Sequence, residues 1–220
     1  MAAEIVSIER DGPGAARAAL ESCVAAGGVA LFPSDGVYGL ACDPLDRAGI
    51  ERIYRLKGRD EGKPAAVMYF DQLAMREVLG QLGPRSAAAV AELLPGPVTL
   101  VLPNPERRYP LACRGTPERL GVRLIEGPLA GMPRPIFQTS ANRSGQPAAA
   151  SFDAVDPGIV EGVDVAIDGG TLPGLASTVV DLTPLDDGGR WKVLREGALG
   201  TADLERRLAA IVSTGSESGG

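Results

Sequence analysis

The chain has 220 residues, of which 45% are apolar and 4% aromatic, and its formal net charge is −6. That length suits one large domain or two small ones, with a core built from aliphatic side chains. The acidic balance is opposite to that of a strongly basic nucleic-acid binder, so any phosphate site must be a local cluster of Arg and Lys. The chain contains no histidine, which excludes Ser-His-Asp and Cys-His mechanisms and a His-ligated zinc site.

The cysteines and the chain ends indicate the compartment. Cys23, Cys42 and Cys113 are widely spaced and form no Cys-x-x-Cys pair, which predicts reduced thiols rather than disulfides or a structural zinc site. The sequence has no signal-peptide pattern and no run of about 18 apolar residues. We therefore expect a cytoplasmic protein with no membrane partner. We also expect a single domain over residues 1–212 and, from the small polar residues 213–220, a disordered tail.

The first part of the chain is mainly helical in composition. Its predicted elements are a helix over 15–26, a strand over 29–32, a helix over 48–56, a strand over 65–70, and helices over 74–82 and 86–94. Asp11 is the expected N-cap of the first helix, and the pair Gly27-Gly28 is its expected stop.

The second part is richer in short β segments bounded by turn residues. These are 95–103, 120–125, 135–140, 163–170, 177–182 and 191–197, followed by a terminal helix over 201–212. Strands and helices do not alternate regularly there. The sequence therefore predicts an α/β (α+β) fold, with a twisted mixed sheet flanked by helices rather than a purely parallel doubly wound sheet.

Polar residues follow the first predicted strand directly, in the segment PSDGVYGL (33–40). Ligands of open α/β sheets bind outside strand ends, so these side chains are candidates for ligand contact. The alternative is a plain turn in which Asp35 caps local amides.

A cationic segment, LKGRDEGKP (56–64), follows the second predicted helix. Lys57, Arg59 and Lys63 stand around two glycines, a combination that suits a polyphosphate. The chain has no Walker A pattern. The alternative for this segment is a solvated charged loop.

The segment QTSANRSGQP (138–147) is dense in hydroxyls and amides. Ser140 and Asn142 can donate or accept hydrogen bonds, which suits a small-ligand or nucleotide loop. Because no histidine is present to activate it, Ser140 is interpreted as a binding group and not as a nucleophile. The alternative is an Asx/Ser turn without function.

Two arginines, Arg123 and Arg195, lie in or at the end of apolar β segments. Burying a guanidinium is costly unless an anion pairs with it. We expect both to project into a shared cleft and bind an anionic ligand. The alternative is a structural ion pair with Asp181 or Asp35.

Seven short segments, in this order, resemble the short form of the YrdC-like family of threonylcarbamoyl-AMP synthases. They are PSDGVYGL, KGRDEGKPA, PGPVT, LGVRL, SANRSG, STVVDL and LREG. The resemblance implies a YrdC-like fold with a concave, positively charged cleft. It also implies a nucleotidyltransferase that forms threonylcarbamoyl-AMP and pyrophosphate from L-threonine, bicarbonate and ATP, for threonylcarbamoyladenosine modification of tRNA.

The resemblance also implies roles for individual residues. Contacts to the nucleotide would come from Lys57, Arg59, Lys63, Asn142 and Arg195. Contacts to threonine would come from Ser34, Arg123, Ser140 and Ser177. No residue is assigned as a nucleophile. Mg²⁺ would accompany ATP and offset its phosphate charge. Further partners would be tRNA or double-stranded RNA and a downstream tRNA-modification transferase complex.

The chain departs from the family pattern at five positions. Ser34 stands where the first Thr of the opening segment is usual, and it keeps the hydroxyl. Gly36 stands where several members have a threonine-contacting Thr, and Met68 corresponds to a His of the long members. Asp60 replaces a usual Pro, and Arg119 stands where a Thr is common. Two alternatives therefore stay open, a carbamoyl-adenylate-handling protein related to carbamoyltransferase domains and a non-catalytic module that binds double-stranded RNA.

Overall fold

The computed structural model describes residues 2–60 and 62–213, and this part of the chain forms ten strands and eight α-helices. The strands are β1 (Glu4–Ser7), β2 (Ala30–Pro33), β3 (Tyr38–Cys42), β4 (Ala66–Tyr69), β5 (Val98–Pro103), β6 (Arg119–Leu124), β7 (Ile136–Ser140), β8 (Val165–Asp168), β9 (Thr178–Asp181) and β10 (Lys192–Arg195). The helices are α1 (Ile8–Asp11), α2 (Pro13–Ala25), α3 (Arg47–Lys57), α4 (Arg76–Leu79), α5 (Pro84–Leu93), α6 (Pro110–Cys113), α7 (Pro157–Val160) and α8 (Thr201–Ser213).

All ten strands belong to one sheet, in the order β1-β8-β2-β3-β7-β4-β6-β5-β9-β10. The pairs β1–β8, β2–β8, β4–β6 and β5–β9 are parallel, and the other neighbours are antiparallel. The predicted mixed sheet with flanking helices is therefore confirmed. Residues 214–220 of the predicted tail lie outside the described residues.

Several elements differ from the sequence predictions. The sequence analysis predicts neither β1 nor β3, and β3 lies in the segment 33–40, for which it expects ligand contacts or a plain turn. A tight turn, closed by the bond from Ser34 N to Val37 O at 3.2 Å, lets β3 pair back on β2. The predicted helix over 74–82 is instead a 3-10 helix at Gln72–Met75 followed by the short α4. Asp11 belongs to α1, and Gly12 is the N-cap of α2.

The two faces of the sheet are covered differently. On one face, alternate residues of β6 (Leu120, Val122 and Leu124) join a large core beneath α3, α5 and α8. On the other face, α2 packs against β1, β2, β3 and β8 and forms a second core. Among the described residues, α2 thus covers only one half of this face. The β6-β5-β9-β10 half faces a hollow, and period-two alternation turns Arg119, Gly121 and Arg123 toward it.

The three cysteines are buried free thiols, and burial raises the pKa of Cys23 and Cys113 to about 11. The helices of the described residues all lack the length and apolar character that a membrane crossing needs.

The core under the site predicts a stability effect. Phe137 of β7 is fully buried, with its ring centroid 6.1 Å from that of Tyr54 on α3. Phe137→Ala should lower the free energy of unfolding by about 3–5 kcal/mol, because the cavity left behind cannot collapse completely. Urea denaturation measures this. Leu73→Ala, at a 71% exposed leucine, should change it by less than about 0.5 kcal/mol. A loss below about 1 kcal/mol for Phe137→Ala would contradict the packing described.

Candidate nucleotide and amino-acid site

A cavity of about 580 Å³ lies over the open half of the sheet. Its floor is formed by β6, β5 and β9, one wall by β10, and its rim by the loops that follow α3 and β7. Six of the nine site residues predicted from the sequence line this one cavity: Arg59, Arg123, Ser140, Asn142, Ser177 and Arg195. The segments that carry them are far apart in the chain, and the strand order brings them together.

The charged residues lining the cavity are four arginines, with no Asp or Glu among the lining residues. Arg123 forms an ion pair with Asp35, which lies in the turn between β2 and β3. Arg119 forms an ion pair with Asp181 at 2.6 Å. The structural ion pair considered from the sequence is therefore present for Arg123, whereas Asp181 pairs with Arg119.

The other two arginines are held by neutral groups. Arg195 donates from Nη2 to the carbonyl oxygen of Ser177 at 2.7 Å and to its Oγ at 3.3 Å. Arg59 donates to the carbonyl oxygen of Pro64 at 2.8 Å, and its guanidinium lies 5.8 Å from the centre of the Tyr54 ring. Within residues 2–60 and 62–213, neither forms an ion pair. Burial, followed by the charges of Arg123 and Arg59, lowers the pKa of Arg195. The hollow thus concentrates positive charge that an anion would stabilise.

A β-bulge gives β10 two adjacent residues that face the cavity. Val193 pairs with Val180, and Arg195 pairs with Val179, so the register shifts at Leu194. Neighbouring residues of a regular strand point to opposite faces, but a bulge re-aims one of them. Leu194 and Arg195 therefore both line the cavity. The short motif LREG does not reveal this bulge.

Lys57 does not line the cavity, and its role as a nucleotide contact stays a prediction. It is 2% exposed and continues the buried stripe of α3 that begins at Ile50 and Ile53. Its Nζ donates to the carbonyl oxygen of Ser140, and to the carbonyl oxygen and Oδ1 of Asn142 at 2.8 and 3.3 Å. Burial and the nearby Arg59 guanidinium lower its pKa to about 7. Lys57 holds the loop after β7 from beneath.

Lys63 and Ser34 also do not line the cavity. Lys63 is exposed on the loop after α3, and its role as a nucleotide contact stays a prediction. Ser34 is buried behind Arg123. It accepts from Arg123 Nη1 at 3.0 Å and donates from Oγ to Asp35 Oδ1 at 2.8 Å. In this arrangement Ser34 and Asp35 orient the guanidinium.

Thr99 of β5 is a site residue that the sequence reasoning missed. It lines the cavity, and its Oγ1 lies 2.8 Å from the Oγ of Ser177. The signal was the alternation in VTLVLP, where Val98, Leu100 and Leu102 enter the core. Thr99 must then face the opposite side, together with Val101.

The two departures from the family pattern near this site have structural reasons. A Cβ atom at Gly36 would lie 1.8 Å from the carbonyl oxygen of Leu175, so the loop before β9 requires glycine there. Met68 of β4 is fully buried in the core around α2, in register with Arg123 on β6. Neither residue places a polar side chain in the cavity.

The chain is similar to proteins of one family across most of its length. The Sua5/YciO/YrdC family model, described as "Telomere recombination", matches residues 22–197. A threonylcarbamoyl-AMP synthase of Pyrococcus abyssi is 35% identical over 196 residues, which are 84% of this chain and 55% of that protein. One of Chromohalobacter salexigens is 36% identical over 163 residues, 71% of this chain and 86% of that protein. The chain thus spans about half of the archaeal relative and most of the bacterial one.

Solved structures show the same fold. The crystal structure of Pyrococcus abyssi Sua5 complexed with L-threonine superimposes with a TM-score of 0.80 at 30% identity, covering 94% of this chain and 61% of that one. Escherichia coli YciO superimposes with a TM-score of 0.75 at 25% identity, covering 93% and 100%. With its fold, its cavity and these similarities, the chain belongs to the Sua5/YciO/YrdC family.

Proposed function

We propose that this chain is a threonylcarbamoyl-AMP synthase, which joins L-threonine, bicarbonate and ATP to form threonylcarbamoyl-AMP, pyrophosphate and water. The observation that carries the proposal is the single cavity lined by four arginines, with serine, threonine and asparagine side chains around them. Relatives at about 35% identity bear the name of this enzyme.

The chemistry fits a site that has no protein nucleophile. The threonine amine and bicarbonate form a carbamate, and a carbamate oxygen attacks the α-phosphate of ATP and displaces pyrophosphate. This step needs alignment and neutralisation of charge more than covalent catalysis. Arg59 and Arg195, which have no carboxylate partner among the described residues, are suited to the phosphates. Asn142, on the loop after β7, lines the same cavity and carries an amide group.

The amino acid would bind where fixed donors converge. A hydrogen bond to Ser34 and an ion pair with Asp35 fix the orientation of the Arg123 guanidinium. The Oγ of Ser177 accepts a hydrogen bond from Arg195 and forms a second one with Thr99 Oγ1. A carboxylate is the anion that such paired donors recognise.

Mg²⁺ would enter with ATP as part of the substrate. The lining residues include no carboxylate, and the described residues contain no group of three carboxylate or thiol ligands. Phosphate oxygens and water are the ligands that Mg²⁺ usually keeps in such sites. The metal would offset phosphate charge that the arginines alone do not neutralise.

Lys57 acts in this proposal as a positioning residue. It bonds the carbonyl oxygens of Ser140 and Asn142 from beneath, and its own carbonyl oxygen accepts from Ser144 N at 2.7 Å. These bonds tie the loop after β7 to the end of α3. The loop therefore presents Ser140 and Asn142 to the cavity in one conformation.

The proposed function is tested by ATP–pyrophosphate exchange with bicarbonate, comparing threonine, serine and no amino acid. The expected result is exchange that requires bicarbonate and is fastest with threonine. In a second arm of the experiment, carbamoyl phosphate replaces threonine and bicarbonate. The reason for this arm is that Gly36 and Met68 place no polar side chain in the cavity, at two positions where threonine contacts occur in the family. Exchange with carbamoyl phosphate alone would favour the carbamoyl-adenylate alternative. A folded wild-type protein that is inactive in both arms would contradict both proposals.

Arg195→Ala should lower kcat/KM for ATP by about 10²-fold, because a charge-assisted contact to the phosphates is lost in the transition state. The matched control is Arg207→Ala. Arg207 lies on α8, on the other face of the sheet, and its side chain forms an ion pair with Glu92 at 2.9 Å. That control should keep the activity within about twofold. Equal activity of the two variants would remove Arg195 from the site.

The lowered pKa of Lys57 predicts a pH dependence of stability. Its folded pKa of about 7 lies below the ordinary value of 10.5, so the unfolded chain binds more protons between these values and stability should rise with pH. The rise should be up to about 1.4 kcal/mol per pH unit. Lys57→Met should remove this contribution in urea titrations at pH 7 to 10. Identical pH profiles of wild type and variant would contradict the buried position of the amine.

The roles of tRNA, double-stranded RNA and a downstream transferase complex as partners stay predictions. A gel-shift assay without ATP, at rising salt, tests direct RNA binding.

A further inference from the structure

Gln138 of β7 lines the cavity but has no role in the proposed function so far. Its side chain is almost completely buried, with 6% of the residue exposed. The residues paired with it on the two adjacent strands are Ala41 of β3 and Ala66 of β4. A Cβ atom at Gly39 would lie 3.1 Å from Gln138 Nε2, so the glycine leaves space for the amide. Small neighbours on both sides thus let this long polar side chain lie along the floor of the cavity.

Arg123 orients the amide of Gln138. The Oε1 atom of Gln138 lies 3.5 Å from Arg123 Nη1. A guanidinium only donates hydrogen bonds, so the amide turns its oxygen toward Arg123 and its NH₂ group away from it. Arg123 is itself fixed by Ser34 and Asp35. The position of the NH₂ group is therefore defined before a ligand binds.

The NH₂ group of Gln138 has no hydrogen-bond partner within residues 2–60 and 62–213. Most buried polar groups in proteins are paired, and a buried donor without a partner costs free energy. The nearby hydroxyls already use their protons, because Ser34 donates to Asp35 and Ser140 donates to Asn142 Oδ1. Gln138 thus supplies a buried donor that is left for a ligand at the Arg123 end of the cavity.

Resting on the proposed function, we propose that Gln138 is a specificity-determining residue that binds the side-chain hydroxyl of the amino-acid substrate. In the proposed function, Arg123 lies at the amino-acid end of the cavity. The hydroxyl of threonine is carried by the carbon next to the α-carbon, so a group beside Arg123 is within its reach. The Nε2 of Gln138 donates to this oxygen, and an amino acid without the hydroxyl leaves the donor unpaired.

Threonine and valine test this contact, because they have nearly the same shape and differ in a hydroxyl against a methyl group. ATP–pyrophosphate exchange with bicarbonate is measured with each amino acid. The wild type should prefer threonine to valine in kcat/KM by about 10²-fold or more, because a site built to bind a hydroxyl rejects the analogue that lacks it. In Gln138→Met this preference should fall by at least about tenfold, since methionine has a similar length and no donor.

Two controls separate this contact from a general loss of structure. Gln72→Met changes an exposed glutamine of the 3-10 helix Gln72–Met75, which does not line the cavity, and it should keep the wild-type preference. Calorimetric titration of Gln138→Met with MgATP should give an affinity within about twofold of the wild type. Gln138→Ser is a second variant that adds no bulk between Ala41 and Ala66. Its hydroxyl is too short to replace the amide, so it should lose the preference in the same way.

Two outcomes overturn the role of Gln138 and leave the proposed function intact. A wild type that uses threonine and valine equally well would have no specific contact to the hydroxyl. An unchanged preference in the two Gln138 variants, even with a lower overall rate, would place the hydroxyl contact on another residue. A folded wild-type protein without exchange for any amino acid would contradict the proposed function, and the role of Gln138 with it.

Discussion

The site depends on several guanidinium groups being held near one another in a single hollow. Arg123 is neutralised by Asp35, but Arg59 and Arg195 have no carboxylate partner within the described part of the chain. Burial and the two neighbouring arginines already disfavour the charged form of Arg195. Such an arrangement is costly in an empty protein and becomes favourable when an anion enters. The overall net charge of −6 does not reveal it, because the field in a cleft is set by its lining.

The fold makes this hollow by leaving half of one sheet face uncovered. Helix α2 packs over the β1-β8-β2-β3 end, and the β6-β5-β9-β10 end has polar and cationic residues where another helix would need apolar ones. Strand pairing supplies the geometry. In the strand order, β6 and β9 flank β5 and β10 closes the edge, so residues distant in the chain become neighbours. Because strands are rigid compared with loops, the strand residues Arg123 and Arg195 are positioned before any ligand arrives.

Alternation and local composition predicted most strands and the long helices from the sequence, and also the mixed character of the sheet. They failed where an element is short. Strand β3 contains Gly39 and directly follows the turn at Ser34, so it resembled a loop, and the four residues of β1 carry little pattern. Asp11 is the expected N-cap of α2, but α1 ends with Asp11 and Gly12 takes that position.

The site residues also divide into those that a local pattern in the sequence predicts and those that it does not. Arg123 was found because a cation within an apolar strand is conspicuous, and Arg195 because it ends one. The residue type of Lys57 predicts a phosphate contact, whereas its position on the helix predicts burial. Its spacing from Ile50 and Ile53 puts it on the buried stripe of α3, where it bonds the loop after β7. The β10 bulge and the Arg119–Asp181 pair depend on strand register, which no local pattern in the sequence contains.

The central claim is that Arg59 and Arg195, which lie on segments far apart in the chain, hold the same anion. A double-mutant cycle for MgATP binding tests it directly, with calorimetric titration of wild type, Arg59→Ala, Arg195→Ala and the double variant. Contacts to one triphosphate predict a coupling free energy of about 1 kcal/mol or more between the two substitutions. Losses that add within about 0.3–0.5 kcal/mol, or variants that bind MgATP as tightly as wild type, would contradict a shared anion site.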